Sequence, residues 1–487
     1  MTATCVLPVA VAAQHTSSPQ RNVLFIVVDD MQSDAIRYLG NHNVRTPNID
    51  RLMKSGVTFT HTYTNGALSG ALSMPSRAML LTGRGVFQIQ SDGQKIPECH
   101  TTMPEMLRQN GFRTFATGKW HSDKASFNRS FEEGDNIFFG GMHRYETKGH
   151  TAPTLRHYDP TGKYGKEVTF TGRKFSSQMF ADAAVDFLNS TKMDQRPFMA
   201  YVAFTSPHDP RNAHPVDYGR VYDSRRIVLP GNFLPRHPFD NGELDIRDER
   251  LLPAPRTPEA MRKELALYYN MVSEVDVQIG RVLNALKKAG KLDNTIIVFA
   301  SDNGLAMGQN GLIGKQSLYE HSVGVPMAIV DPDNKRNRHA KSEALCYLFD
   351  IYPTVCELLH LPVPESVSGR SLVPTLRSPK HPHRDHLLLI YANQQRALVK
   401  NDYKYIIYQV NGTITEQLFD LKADPGESNN LADKEKAKAA AYKEMLGKAM
   451  KEANDFCSLD QPRWWKDGRK IEWGELVKLY VFDKKKR

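Results

Sequence analysis

Asn22–Val28 is apolar at every position after its opening asparagine, which is the pattern of a strand buried on both faces. Similar runs recur at Arg113–Thr117, Phe198–Thr205, Thr295–Ala300 and Val325–Val330, with helical spacing between them. Thr46-Pro47 opens a helix through Lys54, with Thr46 as N-cap, Pro47 at the first helical position and Gly56 beyond the end. Ser176–Leu188 reads as a second helix. Pro258–Lys288 is a third, carrying Leu265, Tyr268, Val272, Val275, Ile279, Val282 and Leu286 on one face. Strands alternating with helices predict an α/β fold with a large, mostly parallel sheet flanked by helices.

Residues 207–257 interrupt this rhythm with many Pro, Arg and Asp residues, as expected of a surface excursion that shapes a pocket. After about residue 380 the pattern changes again. Leu387–Tyr391, Gln395–Lys400, Tyr403–Tyr408 and Gln417–Asp420 read as short antiparallel strands, with Asn411-Gly412 as a turn and Lys434–Glu452 as a packed helix. The expected division is a segment 1–19, a large domain over 20–380 and a small α+β domain with an antiparallel sheet over 381–487. Cys5–Ala13 is small and apolar and Ala10-Val11-Ala12-Ala13 resembles a cleavage site, so residues 1–19 read as a signal peptide remnant and linker. The expected location is the periplasm or cell surface of a Gram-negative bacterium. No later run is long enough to cross a bilayer as a helix.

Composition narrows the partners. With 487 residues, 40% of them hydrophobic, the chain can bury a large core, and 64 Lys+Arg against 54 Asp+Glu leave a formal charge of +10. Such a balance suits an anionic glycan or surface. Nucleic acid is excluded as the expected partner because no Lys/Arg block interleaves with aromatics. Five cysteines at sparse spacing match neither a zinc site nor a disulfide scaffold.

The candidate chemistry lies where strands end. Asp29-Asp30, Gly118-Lys119-Trp120-His121, Ser206-Pro207-His208 and Ser301-Asp302-Asn303-Gly304 each follow an apolar run. In open α/β sheets ligands bind beyond the carboxyl ends of strands, so the four clusters converge. Ser73-Met74-Pro75-Ser76-Arg77 puts a hydroxyl at a helix start, where unpaired N–H groups attract anions, with Arg77 one turn on. Asp29, Asp30, Asp302 and Asn303, with the Ser73 oxygen, form a hard-oxygen set suited to Ca²⁺ ahead of Mg²⁺ and unsuited to zinc. Arg77, Lys119 and Lys315 supply fixed positive charge, while His121 and His208 can move protons. Together they suit hydrolysis of a sulfate or phosphate ester.

Ser73-Met74-Pro75-Ser76-Arg77 followed by Leu81-Thr82-Gly83-Arg84 resembles the signature of the formylglycine-dependent sulfatases in the alkaline phosphatase superfamily. Val28-Asp29-Asp30, Thr46-Pro47-Asn48-Ile49-Asp50, Lys119 with His121, Asp302-Asn303-Gly304, Gly314-Lys315 and Tyr319-Glu320 support the resemblance. So do Leu418-Phe419-Asp420-Leu421, Asp424-Pro425-Gly426-Glu427 and Asn430-Leu431, and the likeness runs from Asn22 to about residue 435. It implies an alkaline phosphatase-like fold and oxidation of Ser73 to formylglycine, whose hydrate attacks sulfur beside a Ca²⁺ ion. It further implies that His208 or Lys315 protonates the departing alcohol, and that His121 takes the proton whose loss expels sulfate. A serine at this position implies a bacterial, anaerobic radical-type maturing enzyme. Two positions depart from the family pattern: Gly324, where relatives carry Arg before Val-Pro, and Ser122-Asp123 after the Lys119 motif.

The expected substrate is a sulfated glycan of glycosaminoglycan, mucin or algal type, desulfated from its end. Expected sugar contacts are Arg211 above all, with His143, His157, His214 and His237, and beyond them Arg144, Arg225, Asp240 and Glu243. Two other readings remain open: a phosphomonoester or phosphonate ester hydrolase of the same superfamily, and a catalytically silent glycan-binding homologue with Ser73 unoxidised.

Overall fold

The computed structural model describes residues 21–211, 222–455, 457 and 459, so the expected export segment lies outside the described residues. The strands, in chain order, are β1 (Asn22–Val28), β2 (Val57–Tyr63), β3 (Gly66–Ala67), β4 (Arg113–Lys119), β5 (Glu133–Phe138), β6 (Thr154–Arg156), β7 (Thr169–Thr171) and β8 (Phe198–Ala203). They continue with β9 (Thr295–Ser301), β10 (Gly324–Val330), β11 (Lys341–Ser342), β12 (Cys346–Tyr347), β13 (Leu387–Tyr391), β14 (Gln395–Lys400), β15 (Tyr403–Val410) and β16 (Thr413–Asp420).

The large sheet runs β11-β2-β10-β9-β1-β8-β4-β5-β6-β7, with β12 also on β2. Its centre, β9-β1-β8-β4-β5, is parallel. The sheet is mostly parallel, as expected, with antiparallel pairings in its wings: β10 is antiparallel to β9 and β2, and β6 and β7 are antiparallel to their neighbours. The apolar run of β10 is buried on both faces, and such a run reads alike in either direction.

Strand β1 shows why the apolar run is continuous. Leu24, Ile26 and Val28 pack on one face with Leu265, Val272 and Ile279 of the Pro258–Lys288 helix and Phe180 of the Ser176–Ser190 helix. Val23, Phe25 and Val27 pack on the other with Ala78, Leu80 and Leu81 of the Ser73–Thr82 helix and Val355 of the Ile351–Leu358 helix. The Pro47–Lys54 helix begins as expected, but Thr46 does not cap it. Its hydroxyl faces Asp50 Oδ1 at 2.9 Å, and Asp276 of the long helix accepts the Asn48 and Ile49 N–H groups at 3.0 and 2.8 Å. A buried carboxylate from a neighbouring element has taken the cap's place.

The smaller sheet, β16-β15-β14-β13-β3, is antiparallel except at β13–β3. The Lys436–Glu452 helix packs Ala439, Tyr442, Leu446 and Met450 into its core. Strand β3 comes from the segment just before Ser73, so this sheet is stitched to the loop that leads into Ser73. Gly66 has φ +110°, and a Cβ there would stand 1.8 Å from the Ile390 carbonyl oxygen, so only glycine allows the pairing. Gly324, where an arginine was expected, faces Glu320, and Lys404 of β15 binds that carboxylate at 2.6 Å and Glu427 at 2.8 Å. The cation missing from one strand is supplied from the other sheet.

Glu274, fully buried in the long helix, accepts a hydrogen bond from Gln278 Nε2 at 2.8 Å. Burial outweighs its hydrogen bonds and pushes its carboxyl up to about 7. The native state therefore holds this proton more tightly than the unfolded chain, so its contribution to stability falls as pH rises toward and through 7. Denaturant titrations should find the parent losing about 3 kcal/mol between pH 5 and 9 from this group, a loss removed in Glu274→Gln.

Candidate active site

The site is built from strand ends on the carboxyl edge of the parallel centre. Asp29 and Asp30 follow β1, Lys119 closes β4, His208 lies beyond β8, and Asp302 and Asn303 follow β9. Ser73 is the first residue of its helix, which ends at Gly83 in the left-handed region at φ +65°. Gly118 precedes Lys119 at φ +88°, where a Cβ would stand 1.8 Å from the Ala203 carbonyl oxygen. Glycine is required there for β4 and β8 to remain paired as Lys119 turns inward.

Ser73 Oγ lies 2.9 Å from Asn303 Oδ1 and 3.1 Å from Asp29 Oδ1, so one hydroxyl proton faces two acceptors. Lys315 Nζ donates to Ser73 Oγ at 3.3 Å and to Asp30 Oδ1 at 2.6 Å. Lys119 Nζ donates to Asp29 Oδ2 at 2.6 Å, both side chains wholly buried. Arg77 Nε donates to Asp302 Oδ2 at 2.7 Å, and its Nη1 reaches the Lys119 carbonyl at 3.1 Å. Asp302 Oδ1 accepts the N–H groups of Asp30 and Asn303 at 3.2 and 2.9 Å, and Asn303 Nδ2 donates to Asp30 Oδ1 at 2.7 Å. Six charged groups from five chain segments therefore interlock around one hydroxyl.

The charges settle one another. Burial raises the Asp29 carboxyl, but Lys119 and His208 outweigh it and hold it below the usual carboxylate range. Burial lowers Lys315, but Asp30, Asp248 and Asp29 outweigh it and hold it above the ordinary lysine range. Lys119 is lowered by burial, with Arg77 opposing the pull of Asp29. Burial and the cations Lys119, Arg77 and Lys315 push His121 well below its ordinary value, which favours the neutral imidazole, and its buried Nδ1 has no hydrogen-bond partner among the described residues. Ser122, in the departing motif, donates to the Gly93 carbonyl at 2.7 Å, and Asp123 caps the next helix through Ser126 N–H at 2.8 Å.

Asp29, Asp30 and His208 offer ligand atoms within 4.8 Å of one another, and the Asn303 and Ser73 oxygens adjoin them. These are mainly hard oxygens with net negative charge, which fits Ca²⁺ or Mg²⁺. Asp302, expected among the ligands, directs its oxygens to Arg77 and two backbone amides.

The expected sugar contacts fare differently. Arg211 is buried and binds Glu264 at 3.0 Å, and its Nη1 has no partner among the described residues. The buried ring of His143 packs tilted against Phe138 at 4.3 Å between centroids, and its Nε2 pairs with the Thr205 hydroxyl at 3.0 Å. The ring of His237 is held between the Phe239 carbonyl and the Tyr319 hydroxyl at 2.7 and 3.1 Å. His157 pairs with Asp135 at 2.7 Å after β6, four strands from β1. Strand β6 runs antiparallel to β5, with Arg156 opposite Ile137. His214 lies outside the described residues. Arg144 is exposed, Arg225 pairs with Asp223 of its own loop, Asp240 bonds the Gly242 N–H at 2.9 Å, and Glu243 is buried.

Sequence reasoning missed the groups behind His208. Its Nδ1 faces the Asp209 carbonyl at 2.9 Å and the Asp209 carboxylate at 3.3 Å, and Arg247 clamps that carboxylate. Asp248 accepts from Gln316 at 2.8 Å, beside Lys315. His150 Nε2 pairs with the His208 carbonyl at 3.0 Å. The adjacency of Asp209 to His208 was the available signal; Arg247 is too distant in sequence and follows no period.

The Sulfatase family profile matches residues 21–361, and the profile described as N-sulphoglucosamine sulphohydrolase, C-terminal, matches 308–455. An ulvan-active sulfatase of Formosa agariphila is 27% identical over 88% of this chain and 80% of its own. An N-acetylglucosamine-6-O-sulfatase of Bacteroides thetaiotaomicron is 26% identical over 88% and 87%. A solved complex of a protein with its substrate D-glucosamine-2-N,6-O-disulfate superposes with a TM-score of 0.67 at 23% identity, covering 90% of this chain and 99% of that one.

Arg77 is wholly buried and its removal would leave Asp302 uncompensated. Arg77→Ala should lower stability by about 3–5 kcal/mol in denaturant titrations. Arg77→Lys should recover part of that loss without the turnover, because a single ammonium cannot serve Asp302 and the Lys119 carbonyl together.

Proposed function

Because the chain belongs to the sulfatase family and hydrolyses sulfate esters, we propose that it removes sulfate from the terminal sugar of a glycan, with oxidised Ser73 as the attacking group. The observation that carries this reading is the Ser73 hydroxyl, held between Asp29, Asn303 and Lys315 at a helix start. As formylglycine hydrate, position 73 would supply two hydroxyls, one to attack and one to collapse back to the aldehyde. Asp29, Asp30, Asn303 and the residue-73 oxygen would hold Ca²⁺, with Asp302 alongside. When bound, the ion would supply a Lewis acid for an oxygen of the ester.

The chain's own residues divide the remaining work. Lys315 and Lys119 hold positive charge where sulfate oxygens gather, in a buried setting that strengthens each contact. Neutral His121 can accept the proton of the second hydroxyl. His208, oriented through Nδ1 by the Asp209–Arg247 pair, presents Nε2 toward Asp30 at 3.6 Å and can pass a proton to the departing alcohol. The excursion crowds this face, with Arg247 and Asp248 packed against Asp209 and Gln316, which supports a closed pocket and action at chain ends. The serine supports maturation by a radical-type enzyme.

Sulfate release from oligosaccharides with terminal or internal sulfate should be confined to terminal sulfate, with matched phosphate esters turned over at least a hundredfold more slowly. Comparable turnover of internal sulfates would overturn end-specific action, and faster phosphate turnover would favour the phosphatase reading. Chelation should abolish turnover, and Ca²⁺ should restore it more fully than Mg²⁺ at equal concentration.

A further inference from the structure

At the edge of the large sheet, two segments some three hundred residues apart form one basic surface. The His339 N–H donates to the Lys54 carbonyl at 3.0 Å, and Lys341 Nζ donates to the Tyr38 carbonyl at 3.4 Å. The ring of Tyr38 lies between two ammonium groups, Lys54 at 5.4 Å and Lys341 at 4.7 Å from its centroid. Lys54, Lys341, Arg37 and Arg338 are all exposed, and among the described residues none has a carboxylate partner in an ion pair. The nearby Asp50 is half-buried and turns inward, accepting the Tyr38 N–H and facing the Thr46 hydroxyl.

Like charges gathered on one ring without counter-charges repel one another, and an approaching polyanion relieves that repulsion. We propose that this surface binds a sulfated polysaccharide, apart from the catalytic pocket, and holds the polymer while its end is processed. The choice of a sulfated glycan over other polyanions rests on the function proposed above, whereas the binding itself requires no catalysis.

The test compares parent enzyme, Lys54→Glu/Lys341→Glu and Lys54→Gln/Lys341→Gln on immobilised heparin and double-stranded DNA, with hydrolysis of a monosaccharide sulfate in parallel. The charge-reversal pair should bind heparin about tenfold more weakly at 0.1 M salt and the neutral pair less so, following counterion release. Monosaccharide turnover and melting temperature should stay within twofold and about 2 °C of the parent. Heparin affinity within twofold of the parent in the charge-reversal pair would overturn the proposal, as would tighter binding to DNA than to heparin at the same salt. Because heparin retention is read without turnover, loss of retention in a protein that releases no sulfate would leave the surface assigned and refute only the catalytic reading.

Discussion

Three carboxylates and three cations, all removed from water, balance one another around Ser73. Lys119 neutralises Asp29, Lys315 neutralises Asp30, and Arg77 neutralises Asp302, with closest contacts of 2.6, 2.6 and 2.7 Å. Burying such groups costs several kcal/mol each unless partners and hydrogen bonds are all in place. The surrounding geometry meets most of that condition: backbone amides serve Asp302, and an asparagine joins Asp30 to the serine, while Arg77 Nη2 alone of that guanidinium's nitrogens finds no partner among the described residues. The arrangement contributes little to stability as a set of ion pairs. What it provides is a set of fixed charges held around one hydroxyl before any ligand arrives.

The fold follows from holding these groups still. Parallel neighbours β1, β8, β9 and β4 end at one edge, so their following residues meet without long loops. Hydrophobic packing on both faces of β1 fixes the height of Asp29 and Asp30. The second sheet adds support from below the nucleophile: β3 joins it to the Ser73 loop, and Lys404 clamps Glu320 and Glu427. Asp92 braces the same loop, accepting from Leu68 N and the Ser69 hydroxyl at 3.1 and 2.5 Å.

Much of this was legible in the sequence because it depends on local period and on strand ends. Pro258–Lys288 matches its expected limits, and the four polar clusters meet as their strand-end positions predicted. Direction was not legible, since β10 is apolar on both faces whether parallel or antiparallel. His143 and His237 lie in the excursions expected to shape the pocket, and each ring packs against an aromatic neighbour and one hydroxyl, contacts that no spacing in the sequence announces. The Arg247 clamp on Asp209 and the Lys404 bridge join residues that no motif or spacing connects. Long-range ion pairs of this kind belong to tertiary structure alone.

We propose that this buried charge balance serves an oxidised side chain at position 73. Its most direct measurement is peptide mass spectrometry across residues 70–84, on protein made with and without a radical-type maturing enzyme, alongside sulfate release. The account predicts a peptide two hydrogens lighter only with the maturing enzyme, and turnover proportional to that fraction. Full sulfate turnover by protein with an unaltered serine would contradict it.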